Sequence, residues 1–181
     1  MRVRNLGQLE IYQVKKYLIG DLIVKINGID IGSDYTFVIA EIGNNHNGSL
    51  IRAKEMVDQV IEIGADCAKF QMRKISETYR EKTLEKKGDD LGTEYVIDLL
   101  ERFELSLEDH KEIASYCRKR NILYLCTPWD VSSVKALEEI GVEAYKVASA
   151  DLTNFLLLKY LAKTRKPLIL STGMSTFKEV Q

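Results

Sequence analysis

With 181 residues, 45% of them hydrophobic, the chain is long enough for one domain with a substantial core. Its 26 basic and 27 acidic side chains are interspersed and leave a formal charge of −1, which offers no electrostatic footprint for nucleic acid or an anionic membrane surface. No apolar run approaches the roughly 18–20 residues of a membrane span, and the first residues lack the uninterrupted apolar core of a signal peptide, so a cytoplasmic protein is expected.

In chain order, residues from about Tyr17 to Asp34 read as a β-hairpin, with Asn27-Gly28 supplying the positive φ angles of its turn. Ser49 is placed to cap a helix whose apolar face carries Ala53, Met56, Val57, Val60 and Ile61, with Gly64 at its end. A polar stretch from Arg73 to Gly92 is far longer than a usual strand-to-helix connection, and its middle, Glu77 to Lys87, has the charge of a solvated helix. Thr93 begins a helix predicted to turn Val96, Leu99, Leu100 and Phe103 inward. Ser106 with Asp109 three residues on forms a capping signal for the next, which carries Leu107, His110, Ala114 and Cys117 on one side. Further helices are predicted from Ser132 and Ser133 to Gly141 and from Thr153 or Asn154 onward. Ser175 reads as the cap of a sixth helix with only Thr176 to Gln181 after it, so a fragment is expected. Cys67, Cys117 and Cys126 cannot all pair and match no zinc spacing; buried reduced thiols are expected.

Five short apolar runs separate these helices, and each ends in polar residues: Phe37 to Glu41, Ala65 to Gln71, Leu123 to Thr127, Ala144 to Ser149 and Leu168 to Thr172. Near-continuous apolar strands alternating with helices describe a parallel sheet covered on both faces. In such folds ligands bind beyond the carboxyl ends of the strands. Lysine and glutamate are costly to bury unpaired, so Glu41, Lys69 and Lys146 at strand ends point to an anionic ligand. By the period of two along a strand, Ile39, Glu41 and Gly43 share a face, as do Cys67, Lys69 and Gln71, and Ala144, Lys146 and Ala148. No glycine-rich phosphate turn follows the first strand, which disfavours an open dinucleotide-binding sheet. The expected fold is α/β: a partial TIM (β/α)8 barrel of about five βα units, from a fold that needs about 250 residues when complete. Residues 1–35 would form the hairpin extension and 36–181 the amino-terminal part of the barrel domain.

The strand-end strings are Glu41-Ile42-Gly43-Asn44-Asn45-His46-Asn47-Gly48, Lys69-Phe70-Gln71, Thr127-Pro128-Trp129-Asp130, Lys146-Val147-Ala148-Ser149 and Ser171-Thr172-Gly173-Met174. In this order they closely resemble the barrel domain of the N-acetylneuraminate (sialic acid) synthase family, which includes the legionaminic and pseudaminic acid synthases. The resemblance runs from about Phe37 to the last residue.

It implies condensation of phosphoenolpyruvate with an N-acetylated amino sugar to give a nonulosonic acid and phosphate. Lys69, Thr127, Lys146, Ser149 and Ser171 would hold phosphoenolpyruvate, Gln71 would face the sugar, and Glu41 would be the catalytic carboxylate near the reacting carbons. It further implies a divalent metal, Mn2+ or Mg2+, with ligands expected beyond residue 181, and a homodimer. His46 would either donate to Glu41 or stabilise its loop, whereas His110 reads as structural. One departure concerns the acceptor: the family often has Gly-Glu or Gly-Asp after the fourth-strand serine, where this chain has Ala150-Asp151. The shorter Asp151 leaves open N-acetylmannosamine or a legionaminic or pseudaminic precursor.

Two other readings compete. Lys146, strand-borne among small apolar residues, would suit a metal-independent Schiff-base aldolase. A non-catalytic module binding an anion or a sugar is the third.

Overall fold

The computed structural model describes residues 24–32, 35–79 and 93–181, with the side chains of 93–96 excepted. The predicted hairpin is present as β1 (Val24–Ile26) and β2 (Ile29–Ile31), paired antiparallel through Asn27 and Gly28 at φ 49° and 78°. Its expected outer parts lie outside the described residues. So does most of the stretch expected to form a charged helix, of which a single turn, α2 (Ile75–Thr78), is described.

Five strands then form one parallel sheet in chain order: β3 (Ile39–Gly43), β4 (Cys67–Met72), β5 (Leu123–Pro128), β6 (Tyr145–Val147) and β7 (Leu168–Leu170). Each strand is followed by helix: α1 (Leu50–Glu62), α2, α3 (Thr93–Phe103), α4 (Leu107–Lys119), α5 (Val131–Ile140), α6 (Phe155–Lys163) and α7 (Phe177–Val180). Their starts follow from side-chain caps that satisfy otherwise orphaned backbone N–H groups. Ser49 accepts from Arg52 and Asn154 from Leu157, while Ser106 and Asp109 form the full reciprocal capping box.

Three details differ from the sequence-based expectation. Asp130, two or three residues before the expected serines, caps α5, because its carboxylate accepts from both the backbone and the hydroxyl of Ser133. Thr176, not Ser175, caps α7, since only Thr176 has a glutamate three residues on to complete the box. Among the described side chains of α3, Ile97 is buried and Leu99, Leu100 and Phe103 are half-buried, while the expected inward Val96 lies outside them.

Alternation along the strands gives the sheet two chemically different faces. Ala40, Ala68, Phe70, Tyr124, Cys126, Tyr145 and Val147 meet the helices, where Val57, Ile113, Val134, Leu137 and Leu161 close the larger core. A fully buried Leu137 or Leu161 contributes about 1.5–3 kcal/mol. The opposite face carries Ile39, Cys67, Leu123, Leu125, Ala144 and Ile169, and the hairpin residues Ile26, Ile29 and Ile31 cover it together with Phe37. The hairpin thus seals the amino-terminal end of this face and leaves its carboxyl end to the polar residues. All three cysteines are buried and reduced, as expected.

His110 is buried at 1% exposure, its Nδ1 2.8 Å from the hydroxyl of Tyr124, which in turn stacks on Phe70 at 5.5 Å. Burial, with a smaller contribution from His46, lowers its pKa from 6.5 to about 4. The unfolded chain therefore takes the proton first: stability held above pH 6.5 is lost as pH falls towards 4. Between pH 7 and 5 this one group should cost about 2 kcal/mol of folding stability. Urea unfolding of His110→Gln should show that acid loss reduced by this amount; an unchanged pH dependence would contradict the buried neutral imidazole.

Candidate active site

The register of the sheet decides which strand-end residues meet. Glu41 pairs with Lys69 and Lys69 with Leu125; one pleat further on, Gln71 pairs with Thr127. Cys126 pairs with Tyr145, so the next residues, Thr127 and Lys146, run side by side, and Lys146 pairs with Ile169. Glu41, Lys69, Gln71, Thr127, Lys146 and Ser171 thereby come to the carboxyl end of the face whose other end the hairpin covers.

Lys69 is 4% exposed and Lys146 3%. Ammonium groups so far from water need charge or hydrogen-bond partners. Lys69 Nζ forms an ion pair with Glu41 Oε2. Lys146 Nζ donates to the Ser171 hydroxyl at 2.5 Å and to the Val147 carbonyl at 2.8 Å. The second carboxylate oxygen of Glu41, Oε1, is buried without a hydrogen bond from any described residue.

Gly43 shapes the space beside that oxygen. A register shift between Glu41 and Gly43 precedes the last β3–β4 pair, Gly43 with Phe70, and Gly43 has φ +54°, a region that favours glycine. A Cβ there would stand 3.2 Å from Glu41 Oε1 and 3.3 Å from Gln71 Nε2. The missing side chain therefore leaves an acceptor and a donor facing a common gap. The loop that follows is held from within: His46 is 1% exposed, its Nδ1 accepts from the Gly48 N–H at 3.1 Å, and its ring lies 6.0 Å from Phe70. Burial lowers its pKa, with the Gly43 backbone opposing, so the ring is the neutral Nε2–H tautomer. This geometry corresponds to the loop-stabilising alternative for His46.

Other expected residues are placed less directly. Ser149 opens a 3-10 turn, Ser149–Asp151, after β6. Asp151 is buried at 8% exposure, its Oδ1 accepting from the Asn154 side chain and its Oδ2 unmatched among the described residues. Desolvation raises its pKa, and nearby Asp130 adds to the rise. Among the described residues no group of three or more His, Cys, Asp or Glu could hold a metal ion. Glu41 is already tied to Lys69 and His46 to its own loop, so these residues do not fit a divalent-metal centre.

Sequence reasoning missed Arg73, assigned there to the start of a polar loop. The alternation of Cys67, Lys69 and Gln71 extends to it, and that periodicity was the available signal. Arg73 is 8% exposed, donates from Nη2 to Gln71 Oε1, and lies 4.7 Å from the centre of the Trp129 ring. Trp129 itself is half-buried. Burial lowers the guanidinium pKa, with Tyr79 opposing; the group stays charged at neutral pH. Lys69, Lys146 and Arg73 share the strand ends with the carboxylates Glu41, Asp130 and Asp151.

The fold and site define an α/β protein whose parallel strands gather buried charged side chains at their carboxyl ends. The NeuB family model matches residues 56–181, and the chain belongs to the NeuB family. It is 38% identical over 149 residues to an N,N'-diacetyllegionaminic acid synthase of Campylobacter jejuni, covering 81% of this chain and 45% of that protein. It is 35% identical to the human N-acetylneuraminate-9-phosphate synthase over 82% of this chain and 43% of the relative. In structure it is similar to an N-acetylneuraminic acid synthetase from Leptospira borgpetersenii, crystallised with citrate, at a TM-score of 0.71 and 30% identity, covering 84% of this chain and 52% of that one. The chain thus spans about half the length of the relatives it matches.

The Glu41–Lys69 pair should be energetically coupled. Lys69→Met and Glu41→Gln, made singly and together, should give a stability coupling of about 1–3 kcal/mol in urea unfolding. The double variant should be more stable than the sum of the single losses allows, because each single change strands a charge or polar group in a poorly hydrated site. Strict additivity would contradict the pair.

Proposed function

We propose that this chain forms the phosphoenolpyruvate-binding half of a nonulosonic acid synthase. The observation that carries the proposal is the placement of two nearly fully buried ammonium groups, Lys69 and Lys146, on one face at the carboxyl ends of β4 and β6, which flank β5. Residues 36–181 act as the amino-terminal part of a (β/α)8 barrel, with residues 1–35 as the extension that includes the hairpin. No helix among the described residues is long and apolar enough to cross a membrane, and the protein works in the cytoplasm as a homodimer when complete.

Phosphoenolpyruvate brings a phosphate and a carboxylate, and Lys69 and Lys146 supply the positive charges for them. Thr127, Ser149 and Ser171 donate hydroxyl hydrogen bonds to the same oxygens. The alkene carbon C3 attacks the aldehyde carbon of an open-chain N-acetylated amino sugar, and the aldehyde oxygen takes a proton. A new C–C bond forms as positive charge develops at C2, water adds there, and the C2–O bond to phosphate breaks. The products are a 2-keto acid and inorganic phosphate. Glu41, on the strand next to Lys69, stands where the developing positive charge and the entering water require a carboxylate. Gln71 faces the acceptor, and Asp151 borders it. The family likeness to legionaminic and sialic acid synthases supports the product class.

The complete gene product should release phosphate from phosphoenolpyruvate only when an acceptor such as N-acetylmannosamine or a legionaminic-type precursor is present. Lys146→Ala should weaken phosphoenolpyruvate handling by about 2–5 kcal/mol in kcat/KM, with Lys69→Ala similar. Wild-type kinetics in either variant, or borohydride trapping of substrate on Lys146, would overturn the assignment.

A further inference from the structure

Gln71 and Arg73 carry a consequence beyond the anion site. An arginine side chain has only donors, so whichever end of the Gln71 amide meets it must be the carbonyl oxygen. The hydrogen bond from Arg73 Nη2 to Gln71 Oε1 is of this kind. It turns the amide NH2 the other way, towards the gap over Gly43, where Nε2 lies across from the unmatched Glu41 Oε1. Without a fixed partner the terminal amide torsion of glutamine is broad and nearly two-fold. Arg73 is held in turn, since its guanidinium is buried and stacks on Trp129 at 4.7 Å.

We propose that Arg73 is a positioning residue that acts through Gln71. It fixes the amide so that the gap over Gly43 presents an N–H donor beside a carboxylate acceptor. A group that satisfies both at once is a hydroxyl, which accepts from Gln71 Nε2 and donates to Glu41 Oε1. The site therefore reads a hydroxyl of the acceptor sugar, and a deoxy analogue at that carbon is a poor ligand. This rests on the reading of Gln71 as acceptor-facing.

The test uses the complete protein with phosphoenolpyruvate and N-acetylmannosamine or a legionaminic-type precursor, whichever the wild type turns over. Arg73→Met should raise the acceptor KM about tenfold or more while the KM for phosphoenolpyruvate stays within about twofold, and Arg73→Lys, which keeps a donor, should recover part of the loss. On a Gln71→Ala background, Arg73→Met should add nothing further, because its route of action is gone. A multiplicative double variant, or equal rises in both KM values, would overturn the proposal. A second readout needs no turnover: 15N relaxation of the Gln71 side-chain amide should pass from rigid to mobile in Arg73→Met, with its order parameter falling below about 0.6. An unchanged order parameter would overturn the positioning role even if the synthase reading stood. A rigid-to-mobile change in a protein that turns over no acceptor would instead fault the synthase reading alone.

Discussion

The pairing of Lys69 with Glu41 across β3 and β4 is the constraint on which the rest of the site depends. A buried ammonium is retained only where its charge is answered, because the desolvation penalty is several kcal/mol per ion. Lys69 is 4% exposed, so Glu41 must stand in register beside it. That register fixes Gln71 against Thr127 one pleat further on, and through β5 it fixes Thr127 beside Lys146. The carboxylate gives one oxygen to the lysine and keeps the other, Oε1, buried and unmatched among the described residues. A site built this way is organised before any ligand arrives.

The same sheet face divides along its length. At the amino-terminal end, the hairpin isoleucines and Phe37 pack on Ile39, Cys67, Leu123 and Ala144, excluding water from beneath the lysines. At the carboxyl end the residues become polar. Charges set above a dry apolar floor act through a lower effective dielectric than in water, which strengthens their hold on an anion. The opposite face, packed on α1, α4, α5 and α6, carries no chemistry but holds the strands in place. The loop after β3 shows the same economy: a neutral histidine and Gly48 fix its course, and a Cβ at Gly48 would lie 2.7 Å from the Arg102 carbonyl oxygen.

Much of this was legible in the sequence because period-two alternation is local. Cys67, Lys69 and Gln71 share a face by that rule alone, and Ser49, Ser106 and Asn154 announce their helices by residue type and spacing. Features set across strands were not legible. That Lys69 meets Glu41 while Lys146 meets Ser171 follows from register and strand order, which no single stretch encodes. Arg73 was missed for a different reason: it follows the last strand residue and opens a charged stretch, so composition pointed outward while alternation pointed inward. In α3 the helical period allowed more than one buried stripe, and the described structure buries Ile97. Thr176 displaced Ser175 as a cap because a glutamate three residues on decides between two adequate hydroxyls.

The central claim is that these strand ends hold phosphoenolpyruvate for attack by C3 and loss of phosphate from C2. Phosphoenolpyruvate labelled with 18O at the oxygen bridging C2 and phosphorus tests it most directly in the complete protein. Scission of the C2–O bond should place the label in inorganic phosphate and leave none at the keto carbon of the product. Label retained in the keto acid, or product formed without stoichiometric phosphate, would contradict it.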